Sequence, residues 1–147
     1  MHLVPPSFVL ERRINQPLPL VNRAVSTGAP FDDTTTVSLG PDAVLSFDAP
    51  LRRTLGSYDL AWRADARLLT RRGRLVARVA VTVDGWSSTA TRLQLRPAVT
   101  HPERWSNRRL RQYFRLAHLA ADYAARELNE HARAPQLQPV PELVKAS

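Results

Sequence analysis

The sequence predicts an α+β fold: a curved antiparallel sheet of about six strands wrapped around one long C-terminal α-helix, with a short N-terminal helix. Two patterns predict it. Residues 106–132 place leucine, alanine and aromatic side chains on one broad side when each residue advances by about 100°. Residues 58–83 alternate between apolar and polar side chains, which is typical of half-buried antiparallel strands. A helix with so broad an apolar side needs a concave partner or several neighbours.

The N-terminal part is predicted to contribute one strand and one short helix. Residues 7–14 read as a strand near a sheet edge, because both of its faces carry charge. Pro17 and Pro19 exclude a regular strand centre but fit a first helical turn, so Leu18–Val25 is predicted to be helical. Residues 27–33, with Gly28, Pro30 and two aspartates, are typical of a loop.

A meander is predicted to follow. Residues 34–39 and 43–49 favour strands and flank a Gly-Pro-Asp turn at residues 40–42. Residues 50–57 are predicted to form a loop that could hold a short strand. The two longest strands, residues 58–68 and 75–83, are joined by a predicted two-residue turn at Arg72 and Gly73, which pairs Leu68 with Ala77 and Trp62 with Val83.

The register of the last hairpin is predicted from its apolar side chains. A two-residue turn at Asp84 and Gly85 would turn the later leucines to the polar face, since a one-residue shift reverses every side chain. A three-residue loop over residues 83–85, with Gly85 left-handed, avoids this and pairs Val81 with Ser87. The last strand then points five side chains at the helix: Ser87, Thr89, Thr91, Leu93 and Leu95.

Two interpretations of this interior remain open. Buried hydroxyl groups need hydrogen-bond partners, so the threonines either bond locally at an exposed strand end or anchor a ligand in an apolar cavity. The small alanines of the helix either allow close contact with the sheet or leave a space, and the large aromatics are either core or ligand contacts. The ligand hypothesis assigns nine binding residues: Phe47, Tyr58, Trp62, Val79, Thr89, Thr91, Tyr113, Ala117 and Ala121.

The C-terminal part follows the predicted strands without a second domain. Thr100 and Glu103 have the spacing of a capping box and predict a helical turn before the long helix. Residues 1–134 are therefore predicted to form one domain. Residues 135–147, which contain Pro135, Pro139 and Pro141, are predicted to form an extended tail.

Composition narrows the class of protein. The 147 residues include no cysteine, so disulfides and cysteine metal sites are excluded. No transmembrane run or secretory signal is apparent, which predicts a cytoplasmic protein. The net charge is +8, and every basic residue except Lys145 is arginine, which reflects either coding bias or a polyanionic partner. Because the arginines are spread along the sequence and the aromatics lie mainly on apolar faces, the pattern admits nucleic acid without favouring it.

No residue set declares a reaction. His118 and Asp122 lie one helical turn apart, but on the polar side of the helix, where a solvated pair is the favoured interpretation over acid–base chemistry. Asp32 and Asp33 stand in a loop rich in turn residues. We therefore assign no catalytic residue, no metal ligand and no cofactor, and whether the protein is an enzyme stays open.

The order of elements resembles the START-like or SRPBCC superfamily, the helix-grip fold of lipid-transfer domains, polyketide cyclases and plant pathogenesis-related proteins. The matching residues are 14–18, INQPL, at the end of the first strand, and 91–95, TRLQL, leading into Tyr113, Phe114 and on to Leu128. The layout covers most of the chain, but the first helical segment is short and the glycine-rich loop of plant members is missing. The resemblance implies the fold and a cavity for a hydrophobic ligand, and it carries over no catalytic residue.

These observations lead to three functional hypotheses. The first is binding of a hydrophobic, aromatic or lipid-like small molecule in a cavity between the sheet and the C-terminal helix. The second is a small cyclase-type enzyme on the same scaffold, in which the cavity directs a reactive substrate. The third is an arginine-rich module that interacts with protein or nucleic acid.

Overall fold

The computed structural model describes residues 8–55, 60–99 and 101–137. In chain order it contains β1 (Leu10–Ile14), α1 (Leu18–Val25), β2 (Thr36–Ser38), β3 (Ala43–Phe47), β4 (Arg52–Leu55), β5 (Leu60–Thr70), β6 (Leu75–Gly85), β7 (Thr91–Ala98) and α2 (Asn107–Leu137). A short 3₁₀ turn, Pro102–Arg104, precedes α2.

The strands form one curled antiparallel sheet in the order β1-β7-β6-β5-β3-β2, and β4 also pairs with β5. This sheet curves around α2, which confirms the predicted α+β architecture. The core lies between them: alternate residues of β3, β5, β6 and β7 are buried together with one side of α2. The period of two in the strands and the period of 3.6 in the helix therefore point at the same interior.

The N-terminal elements agree with the sequence. β1 is shorter than predicted but lies at the sheet edge, as expected from the charge on both of its faces. The predicted helix Leu18–Val25 is confirmed, with Pro19 in its first turn, where a missing backbone N–H costs no helical hydrogen bond.

β3 and β4 lie one after the other along the same edge of β5. Ala43 pairs with Thr70 and Phe47 with Ala66, whereas Arg52 pairs with Arg63 further along. Pro50 stands in the interruption, where a residue without an N–H cannot continue the ladder. The short strand suspected in residues 50–57 is therefore β4.

The β5–β6 hairpin has the predicted register and a different turn. Leu68 pairs with Ala77 and Trp62 with Val83, as predicted. The loop holds three residues, 71–73, closed by hydrogen bonds between Thr70 and Arg74, and Gly73 is left-handed with φ +86°. An irregularity between Leu68 and Leu69 absorbs the extra residue and restores the register.

The predicted β6–β7 register is wrong. Val81 pairs with Leu95 rather than Ser87, β6 continues to Gly85, and Gly85 is not among the residues with positive φ. The observed register places Val81 opposite Leu95 and Val83 opposite Leu93, so two valines meet leucines, and Val81 does so where the prediction placed Ser87. Cross-strand apolar pairs are a main source of sheet stability, which explains the longer hairpin. Leu93 and Leu95 still face the core, because the shift is by an even number of residues.

α2 is longer than the predicted domain boundary allows. Its first turn is capped by the Ser106 hydroxyl, which accepts a hydrogen bond from the Arg109 backbone N–H over 3.1 Å. The helix extends to Leu137, so the first residues of the predicted tail are helical rather than extended. Across the described ranges, no helix combines the length and the apolar character that crossing a membrane requires.

Candidate functional site

Most of the predicted ligand-binding residues do meet in the interior. The sheet contributes buried residues from β3, β5, β6 and β7, and α2 faces them with a tyrosine and two alanines. Each of these side chains is at most 5% exposed. They are Phe47, Trp62, Val79, Thr91, Tyr113, Ala117 and Ala121.

Two predicted residues do not join them. Thr89 is exposed in the loop after β6, because the true register ends that strand at Gly85 and starts β7 at Thr91. Its hydroxyl lies 3.5 Å from that of Ser87, which is also exposed. Tyr58 lies outside the described residues. The expected hydroxyl-lined end of the interior is thus reduced to Thr91.

The interior is closely packed where a cavity was expected. Ala117 is 1% exposed and Ala120, Ala121 and Ala124 are fully buried, and Val79 of β6 is 2% exposed. A water-sized space beside these side chains would leave them accessible surface. Within the described residues, the small side chains of α2 therefore accompany close helix–sheet contact.

Phe31 fills part of this interior, and sequence reasoning missed it. It comes from the loop between α1 and β2, and its side chain is fully buried. Its ring stacks on Phe47 with centroids 4.2 Å apart and planes 1° from parallel, and lies 6.0 Å from the Tyr123 ring on α2. The only signal in the sequence was one large aromatic residue inside a loop segment.

Two polar groups among the predicted interior residues already have partners in the protein. The Thr91 hydroxyl donates to the Gln16 carbonyl oxygen over 2.7 Å. The Trp62 indole N–H donates to the side-chain oxygen of Asn22 over 2.6 Å. Both bonds tie strands to the segment around α1, so these groups hold the fold together. Burial also raises the pKa of the Tyr113 phenol, because the interior disfavours the charged phenolate.

His118 and Asp122 form a cluster with a third residue, Arg12 of β1. The Arg12 Nε donates to an Asp122 oxygen over 2.7 Å, and its Nη2 lies 2.8 Å from His118 Nδ1. Because a guanidinium only donates, His118 Nδ1 accepts this bond. The cluster clamps the edge strand to α2, a role that the sequence could not show because Arg12 is remote in the chain. No group of three or more metal-binding side chains converges within the described ranges.

The strongest polar feature of the molecule is a concentration of arginine at one end, which we call the arginine pole. It comprises the β2–β3 turn, the β5–β6 loop, the adjoining parts of β6 and β7, the 3₁₀ turn and the first turns of α2, residues 107–116. All of its arginines are exposed. They are Arg71, Arg72, Arg74, Arg78, Arg96, Arg104, Arg108, Arg109, Arg111 and Arg115.

Almost all of the net charge of the described residues resides there. The arginine pole holds ten arginines and two carboxylates, Asp42 and Glu103, whereas the remaining described residues hold ten arginines and nine carboxylates. None of the ten pole arginines makes an ion pair in the described part of the chain, whereas five of the other ten do. The arginines are dispersed along the sequence, but the fold collects the unbalanced positive charge in the arginine pole.

The surface of the arginine pole has two depressions that could accept a ligand. A depression of about 430 Å³ is lined by Gln112 and by Arg108, Arg111 and Arg115, which we call the arginine strip. Beside it, a groove of about 150 Å³ separates the β5–β6 hairpin from α2, and we call it the hairpin groove. Arg109 lines this groove, with its guanidinium carbon 3.9 Å from the centroid of the Trp105 ring.

Comparisons with known proteins match the chain to solved structures at low sequence identity. No protein-family model matches the chain, and no curated protein does. A solution NMR structure of a protein from Arthrobacter aurescens is 13% identical over 88% of this chain and 87% of that one, with a TM-score of 0.41. A crystal structure of a protein from Thermus thermophilus is 14% identical over 88% of this chain and 99% of that one, with a TM-score of 0.35.

Proposed function

We propose that the protein binds nucleic acid through the arginine pole. One observation carries the proposal: ten exposed arginines gather at one end of the molecule without an ion-pair partner in the described residues. The rest of the described surface is nearly balanced in charge, so a general bias toward arginine would not by itself produce this segregation. A local concentration of basic charge is an electrostatic signature of a polyanion-binding protein.

The position of these charges on α2 opposes helix stability. The N-terminal end of a helix carries a partial positive charge, which favours acidic residues and disfavours basic ones. The first turns of α2 contain Arg108, Arg109 and Arg111 and no acidic residue. These arginines repel one another and the helix dipole, and a bound polyanion would offset both effects.

The chemistry of the arginine strip favours phosphates over an acidic protein surface. Arg108, Arg111 and Arg115 share their depression only with Gln112, so no apolar side chain stands at its centre. Protein interfaces usually have an apolar core, whereas nucleic-acid interfaces are polar and strongly positive. Guanidinium groups also match phosphate oxygens with two parallel hydrogen bonds.

The test is the salt dependence of binding to labelled single- and double-stranded oligonucleotides, followed by fluorescence anisotropy. Binding should weaken steeply as salt rises, because each neutralised phosphate releases counterions. Changing Arg108, Arg111 and Arg115 together to Gln should lower the log–log slope on a single strand by about 2, at about 0.7 per phosphate contact.

The matched control changes three exposed arginines elsewhere, Arg13, Arg23 and Arg133, to Gln. These have the same chemistry and no ion-pair partner in the described residues, so this variant should bind like the original protein. Equal losses in the two triple variants would show that net charge alone matters and would contradict a defined site. Binding of polyglutamate with the same affinity and slope would also contradict it.

A second function is supported by Phe31. We propose that an apolar aromatic or lipid-like molecule binds between β3 and α2 by displacing this ring, which already stacks on Phe47. Because Phe31 belongs to a loop, it can leave without breaking a strand or helix. The resemblance to the helix-grip superfamily favours a ligand in this position. A cyclase would use the same interior, and that alternative stays a prediction.

An apolar fluorescent probe tests this second function. The protein should bind it one-to-one, and Phe31→Ala should bind it about tenfold more tightly or better, since the competing ring is gone. Phe8→Ala is the matched control, because Phe8 is also an aromatic residue that contacts α2, through Tyr113 and Phe114. The ligand site would be excluded if the unmodified protein does not bind the probe and Phe31→Ala binds it no better than Phe8→Ala.

A further inference from the structure

The hairpin groove lies inside the arginine pole and differs from it in chemistry. Its walls include Ala43, Val76 and Leu116, with the Trp105 ring beside them. Its volume is about 150 Å³, and an apolar cavity of about 150 Å³ is known to admit benzene. The groove therefore has room for one six-membered ring, and less than the two fused rings of a purine need.

Arg109 supplies a flat cation in this groove. Its guanidinium carbon lies 3.9 Å from the Trp105 ring centroid, so one side is covered by the indole. The hydrogen bond from its backbone N–H to the Ser106 hydroxyl fixes the first turn that carries it. A guanidinium held in this way can stack with a nucleobase.

The polar groups of the hairpin groove suit a base edge and oppose a phosphate. Asp42, Thr70 and Gln112 provide an anionic acceptor, a hydroxyl and an amide. Single-stranded bases are commonly recognised by such groups on their hydrogen-bonding edges. The Asp42 carboxylate would repel a phosphate, so a base is the part of a nucleotide that this groove accepts.

The neighbouring depression supplies the phosphate contacts. Gln112 lines both depressions, so the arginine strip begins where the hairpin groove ends. We infer that the partner is a single-stranded nucleic acid, with one pyrimidine base in the hairpin groove and its flanking phosphates on the arginine strip. The inference rests on the proposed nucleic-acid binding. A duplex would hide the base edges that the groove could reach.

The experiment compares oligothymidylate, oligoadenylate and a duplex, each of about twelve nucleotides, within the usual range of single-strand site sizes. Oligothymidylate should bind more tightly than oligoadenylate, whose purine bases exceed the groove, and about five- to a hundredfold more tightly than the duplex, the range expected from stacking one base. Val76→Trp fills the groove without changing charge, so it should abolish this preference and leave the salt slope unchanged. Gln112→Ala, a smaller change, should reduce the preference in the same direction.

The matched control is Val37→Trp. Val37 is also a half-buried valine, and it lines a different groove of about 440 Å³ between β2 and α2. This variant should keep the preference for oligothymidylate. If all three nucleic acids bind equally, or if Val76→Trp and Gln112→Ala keep the preference, the base site is refuted while the proposed function stands. If no nucleic acid binds, both are refuted.

Discussion

The two halves of α2 have the same inner side and opposite outer sides. Residues 107–116 bury Leu110 and Tyr113, and residues 117–133 bury five alanines with Leu128, all at most 1% exposed. On the outside, the first half has four arginines and no carboxylate, whereas the second half mixes two arginines with three carboxylates. Within the described residues, only the second half is tied to β1 by an ion pair, through Asp122.

The comparison of the two halves shows that the fold requires an apolar inner side of α2 but accepts different charges on its outer side. The inner side must match the curved sheet, so it is apolar along its whole length. The outer side is exposed to solvent, and the fold would be served equally well by the mixed charges of the second half. The arginines of the first half, which form no ion pair in the described part of the chain, therefore call for an explanation beyond stability, which the proposed anionic partner provides.

The largest effect should come from overfilling the inner side. Ala121→Trp should destabilise the protein by about 1–3 kcal/mol or more, because Ala121 is fully buried against the sheet. Leu119→Trp, on the same half but 42% exposed, should change stability by less than about 0.5 kcal/mol. Urea unfolding measures both. If Ala121→Trp leaves the free energy of unfolding unchanged, the second half of α2 is not closely packed, and the hypothesis of a ligand cavity would be supported again.

Alkaline pH should distinguish the two tyrosines of α2. Burial raises the pKa of Tyr113 above its ordinary value of 10, so above that pH the unfolded chain loses a proton that the folded chain keeps. Stability is therefore full below about pH 10 and falls above it, by at most about 1.4 kcal/mol per pH unit. Tyr113→Phe should flatten this fall in urea unfolding more than Tyr123→Phe, since burial is the main cause of both raised pKa values and Tyr123 is only half-buried. If the two substitutions flatten the fall in stability equally, Tyr113 and Tyr123 are buried to the same extent.

The ion pair on the second half should have a smaller effect. The side chains of Arg12 and Asp122 are 25% and 61% exposed, so Asp122→Asn should cost less than about 1 kcal/mol, and less still in high salt. Glu130→Gln is the control, an exposed acid of the same half outside the ion pairs of the described residues. A loss that does not change with salt would assign the effect to packing instead of charge.

Reversing single charges at the two ends of the helix should have the smallest effect and opposite signs. Arg108→Glu should raise stability at low salt by about 0.3–1 kcal/mol, because it places a negative charge at the positive end of the helix dipole. Arg133→Glu, toward the other end, should lower it by a smaller amount, because Arg133 lies before the last turn of α2 and the dipole effect fades beyond that turn. Arg108→Glu should also weaken nucleic-acid binding. A variant that loses both stability and binding would contradict the view that the arginine strip serves a partner at the helix's expense.

Sequence reasoning succeeded where neighbouring residues decide the outcome. α1 follows from Pro17 and Pro19, and the register of β5 and β6 follows because only one alignment puts both apolar sets on the same face. It failed at the β6–β7 hairpin, where a local glycine signal at residue 85 was outweighed by valine–leucine pairs that form only when the sheet assembles. The burial of the seven interior residues was predictable from the alternation of the strands and the period of the helix, but the packing of Phe31 among them was not.

Periodicity along the chain is enough to specify a long helix with an apolar side and the strands that face it, because each side chain's direction depends on its own backbone. Which distant segments meet is decided by packing. Only the folded chain brings Arg12 to His118 and Asp122, inserts Phe31 between β3 and α2, and sets the β5–β6 hairpin beside the first turns of α2, which carry Arg109. The arginine pole thus arises from tertiary structure, because charges far apart in sequence act together only when folding places them within reach of one partner.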